Sequence, residues 1–217
     1  MNMQQARFNM VEQQIRPWEV LDSAVLDLME RSPREEYVPQ EYKKLAYADI
    51  AIPLGDGEVM MPPRVEARLL QALEIKPGDE ILEIGTGTGY LTSLLAQLGG
   101  RVTSVDISPG LATLGAENLD RHGIQNVSVE TGDAVRGWTR DAPYDVIAVT
   151  GSVPVLEGQF QDQLKVGGRL FVIVGEAPAM EALLIDRAAE DQWSRESLFE
   201  TVIPPLRGAR QPDRFVL

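Results

Sequence analysis

Apolar residues recur at helical spacing in the first part of the chain and in short strand-like runs beyond it. Met10, Val11 and Ile15, then Val20, Leu21, Val25, Leu26 and Met29 after Pro17, predict helices within residues 1 to about 45, with Ser32-Pro33 ending the second. Tyr37 to Pro63 is rich in proline and glycine, and Asp49 to Gly57 within it suggests a short strand and a turn, a candidate lid or pocket wall. Arg64 to Leu73 carries apolar residues at helical positions, and Pro77-Gly78 separates it from the first core strand. From Asp79 onward strand patterns near 80–84, 101–106, 126–131, 144–150 and 168–174 alternate with expected helices, which implies a parallel sheet covered on both faces. Ala182 to Arg187 and Leu198 to Val202 flank the polar Asp191-Gln192-Trp193 and predict an antiparallel pair at the sheet edge. The expected fold is α/β: a doubly wound, Rossmann-like sheet, mainly parallel with an antiparallel C-terminal edge, plus N-terminal helices. One domain over 1–217 is expected, with 1–63 a helical extension and pocket wall and 64–217 the core.

The strand at 80–84 runs into Gly85-Thr86-Gly87-Thr88-Gly89-Tyr90, a turn in which backbone without Cβ atoms lets a ligand approach and the following helix offers free N–H groups. A dinucleotide fingerprint needs a third glycine where Tyr90 stands, and a P-loop needs Lys followed by Ser or Thr, which Tyr90-Leu91 does not supply. What remains is G-x-G-x-G with an acid, Glu83, two residues before it. This resembles the first motif of the S-adenosylmethionine (SAM) methyltransferases. The next strand pattern ends at Asp106, about 20 residues beyond the glycines, where a carboxylate can accept from both ribose hydroxyls. Capping the following helix is the competing role for Asp106, although Ser108-Pro109 already supplies an N-cap and a first-turn proline. Gly85, Asp106, Asp133 and Thr150 all fall at strand ends, on the rim where such sheets bind ligands.

Composition narrows the partners. A formal charge of −13 argues against a nucleic-acid phosphate backbone as substrate. No apolar run approaches the roughly 20 residues that span a bilayer, and the N-terminus lacks a secretory pattern, so a cytoplasmic protein without membrane partners is expected. The chain has no cysteine, which removes disulfides, thiolate metal sites and cysteine nucleophiles, and no metal is expected. Its one histidine, His122, sits at an expected helix end and reads as a surface residue.

The chain is similar to one branch of these enzymes, the protein-L-isoaspartate O-methyltransferases. The resemblance rests on Arg7, Met10, Gln14-Ile15, the run Pro33 to Pro39, Ala46 to Asp49, Pro53 to Gly57, Leu82 to Tyr90, Asn126-Val127, Gly132-Asp133, Ala142 to Asp145, Val149-Thr150 and Gln163 to Leu170. The glycine motif indicates any methyltransferase, whereas the segments around 33–39 and 46–57 are specific to this family. The resemblance implies SAM-dependent methylation of the free carboxylate of isoaspartyl residues in damaged proteins. It assigns Glu83, Gly85, Thr86, Gly87, Gly89, Asp106, Ile107, Asp133, Ala134 and Thr150 to the cofactor: the glycine loop to the methionine and sugar portion, Asp106 to the ribose, Asp133-Ala134 to the adenine edge, Thr150 near the methyl. Glu83 is expected to orient the loop through backbone N–H groups, and Asp133 has helix capping as a second role. Leu54, Met60, Met61, Arg64 and Ser152 are the expected substrate-pocket residues.

One position departs from the family pattern. The usual Thr-Ile-Ser-x-Pro motif, whose serine is named as the active-site residue, reads Val59-Met60-Met61-Pro62-Pro63 here, so Met61 stands at the serine's place. The family's Thr-Ala-Ala likewise becomes Thr150-Gly151-Ser152, which makes Ser152 a candidate replacement hydroxyl. Packing beneath the turn is an equal alternative for Met60-Met61, and surface solvation is the alternative for Arg64. Two other readings stay open: a SAM-dependent methyltransferase of another acceptor, and a non-catalytic SAM-binding module.

Overall fold

The computed structural model describes residues 2–212. Helix α1 (Met3–Met10) continues through a π turn (Val11–Ile15) and a 3-10 turn (Arg16–Trp18), and α2 (Ser23–Arg31) follows, its N-cap Asp22 accepting the Ala24 and Val25 N–H groups. Val20, Val25, Leu26 and Met29 are buried as their spacing predicts; Leu21 is 76% exposed. It sits before the helix begins, where its N–H donates to Gln71 Oε1, so helical periodicity does not govern it.

A hairpin of β1 (Ile52–Gly55) and β2 (Glu58–Met60) forms its own two-stranded sheet, where the sequence pattern predicts only one strand. Helix α3 (Pro63–Leu73) starts with proline at its first position, which costs no hydrogen bond there.

The main sheet holds β3 (Glu80–Ile84), β4 (Arg101–Asp106), β5 (Val127–Thr131), β6 (Tyr144–Val153), β7 (Leu164–Glu176), β8 (Ala179–Ala189) and β9 (Gln192–Glu200), in the order β5-β4-β3-β6-β7-β8-β9. The five strands from β5 to β7 run parallel; β8 and β9 are antiparallel. Helices α4 (Tyr90–Leu98) and α5 (Pro109–Arg121) form the first two crossovers. The chain therefore leaves β3 toward β4 and β5 and returns to β6 on the other side of β3, which is where a doubly wound sheet opens a crevice.

Two expectations need correction. The connections after β5 and β6 contain 3-10 turns (Thr139–Asp141 and Gln161–Gln163) in place of the expected helices. Apolar residues such as Trp138, Ala142, Leu156 and Phe160 on these loops pack with Leu82, Ile147 and Leu170 and cover that face without helical periodicity. At the C-terminal edge, β9 starts at Gln192 and ends at Glu200, so Gln192 and Trp193 are strand residues. An edge strand this exposed shows little apolar alternation to announce it.

Strand alternation sorts β3 into two cores. Ile81 packs with α3 and α4 in the larger cluster, which also takes in Met10, Leu28 and Met29 from the N-terminal helices; Leu82 and Ile84 pack in the other. Burial of such apolar surface contributes about 25 cal/mol per Å². After β9 the chain returns to β6, with Ser152 N–H donating to Pro204 O and Leu206 N–H to Ser152 O. That return brings residues 204–207 to the carboxyl ends of the strands.

Candidate functional site

Register places the strand ends side by side: Ile84 pairs with Val105 on one flank and Val149 on the other, and Asp106 pairs with Thr131. The glycine loop leaves β3 at this level. Gly85 has φ +103, and a Cβ there would lie 2.1 Å from Thr150 Oγ1, so only glycine fits. Thr150 closes the contact by donating its hydroxyl to Ile84 O at 2.8 Å and Gly85 O at 3.0 Å. Gly89, the N-cap of α4, has φ +81 and is pressed against Gly115 of α5.

The loop opens onto a cleft of about 690 Å³, open solvent at its mouth included. Gly85, Gly87, Asp106, Ile107, Asp133, Ala134 and Thr150, all expected cofactor residues, line it. Asp106 Oδ2 accepts the Gly87 N–H at 2.8 Å and Oδ1 accepts the Ser108 N–H at 2.9 Å. Each carboxylate oxygen has two acceptor sites, so one on each remains for a pair of vicinal hydroxyls. Asp133 Oδ1 accepts the Val135 N–H at 3.0 Å, and the same residue lines the cleft, so it turns the local chain while facing the cavity.

Glu83 does not hold the loop through backbone N–H groups. Alternation turns it toward α4, where it is fully buried and accepts from the Thr92 and Ser104 hydroxyls. Ser104 in turn hydrogen-bonds the Thr86 hydroxyl at 2.6 Å, so Glu83 reaches the loop through a relay of hydroxyls, and the backbone partner of the loop is Asp106. Burial, opposed by these hydroxyl donors and reinforced by the Asp106 and Glu66 charges, pushes the Glu83 carboxyl up to about 8.

A second, smaller cavity shares Leu54, Val59, Gly85, Gly87 and Thr150 with the cleft and extends inward to Met60, Met61, Glu66, Thr86, Thr88, Tyr90 and Leu91. Leu54, Met60 and Met61 thus line the inner cavity, and both methionines are also packed, at 6% and 4% exposure. The Met61 carbonyl accepts from Arg34 Nη2 at 2.6 Å.

Two predicted pocket residues lie elsewhere. Arg64 lines neither cavity: it pairs with Asp49 and covers the Trp18 ring at 4.2 Å. Ser152 is fully buried and donates its hydroxyl to Ile203 O at 3.1 Å, which directs it to the returning C-terminal segment. His122 caps α5, contacts Asn118 O and Glu36, and stacks on Tyr37 at 4.5 Å.

The sequence reading missed Glu58 on the hairpin and Pro204 to Arg207 in the returning segment, which form facing lips of the cleft. Glu58 Oε1 and Arg207 Nε are 2.7 Å apart and join them. No local pattern signals a pair this distant. The neighbouring glycine-turn signal at Gly55-Asp56-Gly57 was the available clue to the hairpin.

Residues 5–211 match the family described as protein-L-isoaspartate(D-aspartate) O-methyltransferase (PCMT). The chain is 38% identical over 203 residues to protein-L-isoaspartate O-methyltransferase 1 of Rhodopseudomonas palustris (strain HaA2), covering 93% of this chain and 83% of the relative. A solved protein-L-isoaspartate O-methyltransferase structure superimposes with a TM-score of 0.80 at 27% identity, covering 93% of this chain and 66% of that one. A Plasmodium falciparum structure in complex with S-adenosyl-L-homocysteine has the same fold, with a TM-score of 0.75 at 20% identity, over 95% of this chain and 99% of that one. The match over nearly all of the chain, together with the sheet order and the rim of glycine loop and acids, places it plainly: it belongs to the protein-L-isoaspartate(D-aspartate) O-methyltransferase family.

Proposed function

We propose that the chain transfers the methyl group of SAM to the free carboxylate of isoaspartyl residues in damaged proteins. The observation that carries this reading is the pair of neighbouring cavities at the strand ends, which share Gly85, Gly87 and Thr150 in their linings, in a chain of this family. The cleft suits the nucleoside: Asp106 has acceptor capacity for the ribose hydroxyls, and Asp133, Ala134 and Ile107 edge the space for the adenine.

The acceptor needs no base. An isoaspartyl carboxylate, with an ordinary pKa near 4, is ionised at neutral pH and attacks directly. Held by the glycine loop and Asp106, SAM would supply an electrophilic methyl on a sulfonium, whose passage to the carboxylate oxygen would leave sulfur with the electron pair as a neutral thioether. This chain's part is to hold the loop with Asp106, wall the junction with Leu54, Val59 and Thr150, and exclude water there. Such alignment contributes up to about 7–11 kcal/mol in favourable systems. Burial of Met10, Leu28 and Met29 in one core with Leu94 and Phe171 supports 1–217 as a single methyltransferase domain. We place its work in the cytoplasm; among the described residues no helix is long and apolar enough to cross a membrane.

Labelled SAM incubated with an isoaspartyl peptide and its aspartyl isomer tests this function. Base-labile label on the isoaspartyl peptide alone is the expected result. Equal labelling of both, or label only on other acceptors, would refute the substrate assignment.

A further inference from the structure

The inner cavity contains one carboxylate, Glu66, that the proposed reaction does not use. It is 1% exposed and paired with Arg34, itself fully buried. Arg34 also donates to Met61 O and lies over the Tyr90 ring at 4.9 Å, so N-terminal segment, hairpin end, α3 and α4 converge on this pair. The Tyr90 hydroxyl is buried without a hydrogen-bond partner among the described residues, and Tyr90 lines the same cavity. Leu54, Val59, Met60, Met61 and Leu91 supply the apolar part of the wall, and Thr86, Thr88 and Thr150 add neutral hydroxyls, so Glu66 is its one charged group among the described residues.

This distribution of polar groups has a counterpart in the cofactor. SAM carries a nucleoside at one end and a zwitterionic amino acid at the other, joined through sulfur. With the nucleoside in the cleft and sulfur beside Gly85, Gly87 and Thr150, which line both cavities, the amino-acid tail would reach the inner one. There an ammonium needs an acceptor and a carboxylate needs donors, because neither is tolerated unpaired away from water. We propose that Glu66, held in place by Arg34, receives the ammonium of the cofactor's tail, and that the Tyr90 hydroxyl donates to its carboxylate. The first-turn N–H groups of α4 add a favourable field for that carboxylate. Burial pushes the Glu66 carboxyl up to about 7 against the pull of Arg34, and an arriving cation favours its ionised form.

The inference rests on the cofactor reading above, and calorimetry on the full chain separates the two. S-adenosylhomocysteine and methylthioadenosine share the nucleoside sulfide, but only the first has the tail. Glu66→Gln is expected to weaken S-adenosylhomocysteine about tenfold or more, the scale of one charged hydrogen bond, and to leave methylthioadenosine within about twofold. A folded variant that binds both compounds as the wild type does, or loses both equally, overturns the role of Glu66. If the stranded Arg34 prevents folding, wild-type protein decides with an S-adenosylhomocysteine analogue lacking the amino group: about tenfold weaker binding supports the proposal, and equal binding overturns it. Wild-type protein that binds neither nucleoside compound removes the cofactor reading itself.

Discussion

The Asp106 carboxylate accepts the Gly87 N–H at 2.8 Å, tying the end of β4 to the middle of the glycine loop that leaves β3. One side chain thereby shapes the loop and borders the cleft. Asp106→Ala is expected to weaken binding of S-adenosylhomocysteine by about 10- to 100-fold, since it removes a charged acceptor from the ribose and frees the loop. Titration calorimetry on the folded variant checks this, and unchanged affinity would exclude Asp106 from the nucleoside site.

Gly85 leaves no room for a side chain. Its φ of +103 and the 2.1 Å approach of a Cβ to Thr150 Oγ1 predict that Gly85→Ala destabilises by about 2 kcal/mol or more. Thr150→Ala in the same chain should recover only part of this, because the contact is relieved and the backbone strain is not. Urea denaturation of the single and double variants measures both parts; full recovery would assign the whole cost to the contact.

Burial of Glu83 sets a pH dependence with a definite sign. Its folded carboxyl titrates near 8 against an ordinary value of 4.5, so between these values the native state holds more protons than the unfolded one. This stabilisation is fully present below about 4.5 and is lost as pH rises through about 8, no faster than about 1.4 kcal/mol per pH unit for one proton. Glu66, pushed up to about 7, acts in the same direction. Glu83→Gln should therefore lose less Tm than the wild type between pH 6 and pH 9. Parallel Tm profiles would show that Glu83 does not titrate in this window.

Glu58 and Arg207 join the lips of the cleft at the surface, where their side chains are 29% and 41% exposed. An exposed pair contributes about 0.2–1 kcal/mol, so Arg207→Ala should change cofactor affinity no more than about fivefold while speeding its release, an effect that high salt erases. Stopped-flow release of S-adenosylhomocysteine at low and high salt reads this directly. Identical rates in both proteins would show that the pair does not retain the ligand.

What was legible in the sequence was local. The strand, glycine turn and helix at 80–98, and the acid at the end of β4, lie within one β-α-β unit, so spacing alone brought Gly85, Gly87 and Asp106 to one rim. The motif marks Glu83 but not its partners, because side-chain direction on β3 depends on which face meets α4 and on Ser104 from the next strand. Ser152 is set by a longer-range contact: its hydroxyl faces Ile203, 51 residues away, and only the return of the chain after β9 decides that. Arg64 likewise answers to Asp49 and Trp18. The Arg34 and Glu66 pair, 32 residues apart, had no sequence signal, since a buried charge is visible only once its surroundings are.

The central claim is that the cleft holds the sulfonium nucleoside with its methyl at the junction of the two cavities. A crystal structure with S-adenosylhomocysteine tests it most directly. The account predicts ribose hydroxyls on Asp106, adenine beside Asp133 and Ala134, and sulfur between Leu54 and Thr150. Density for the compound at any other place, or a cleft that stays empty at saturating concentration, would contradict it.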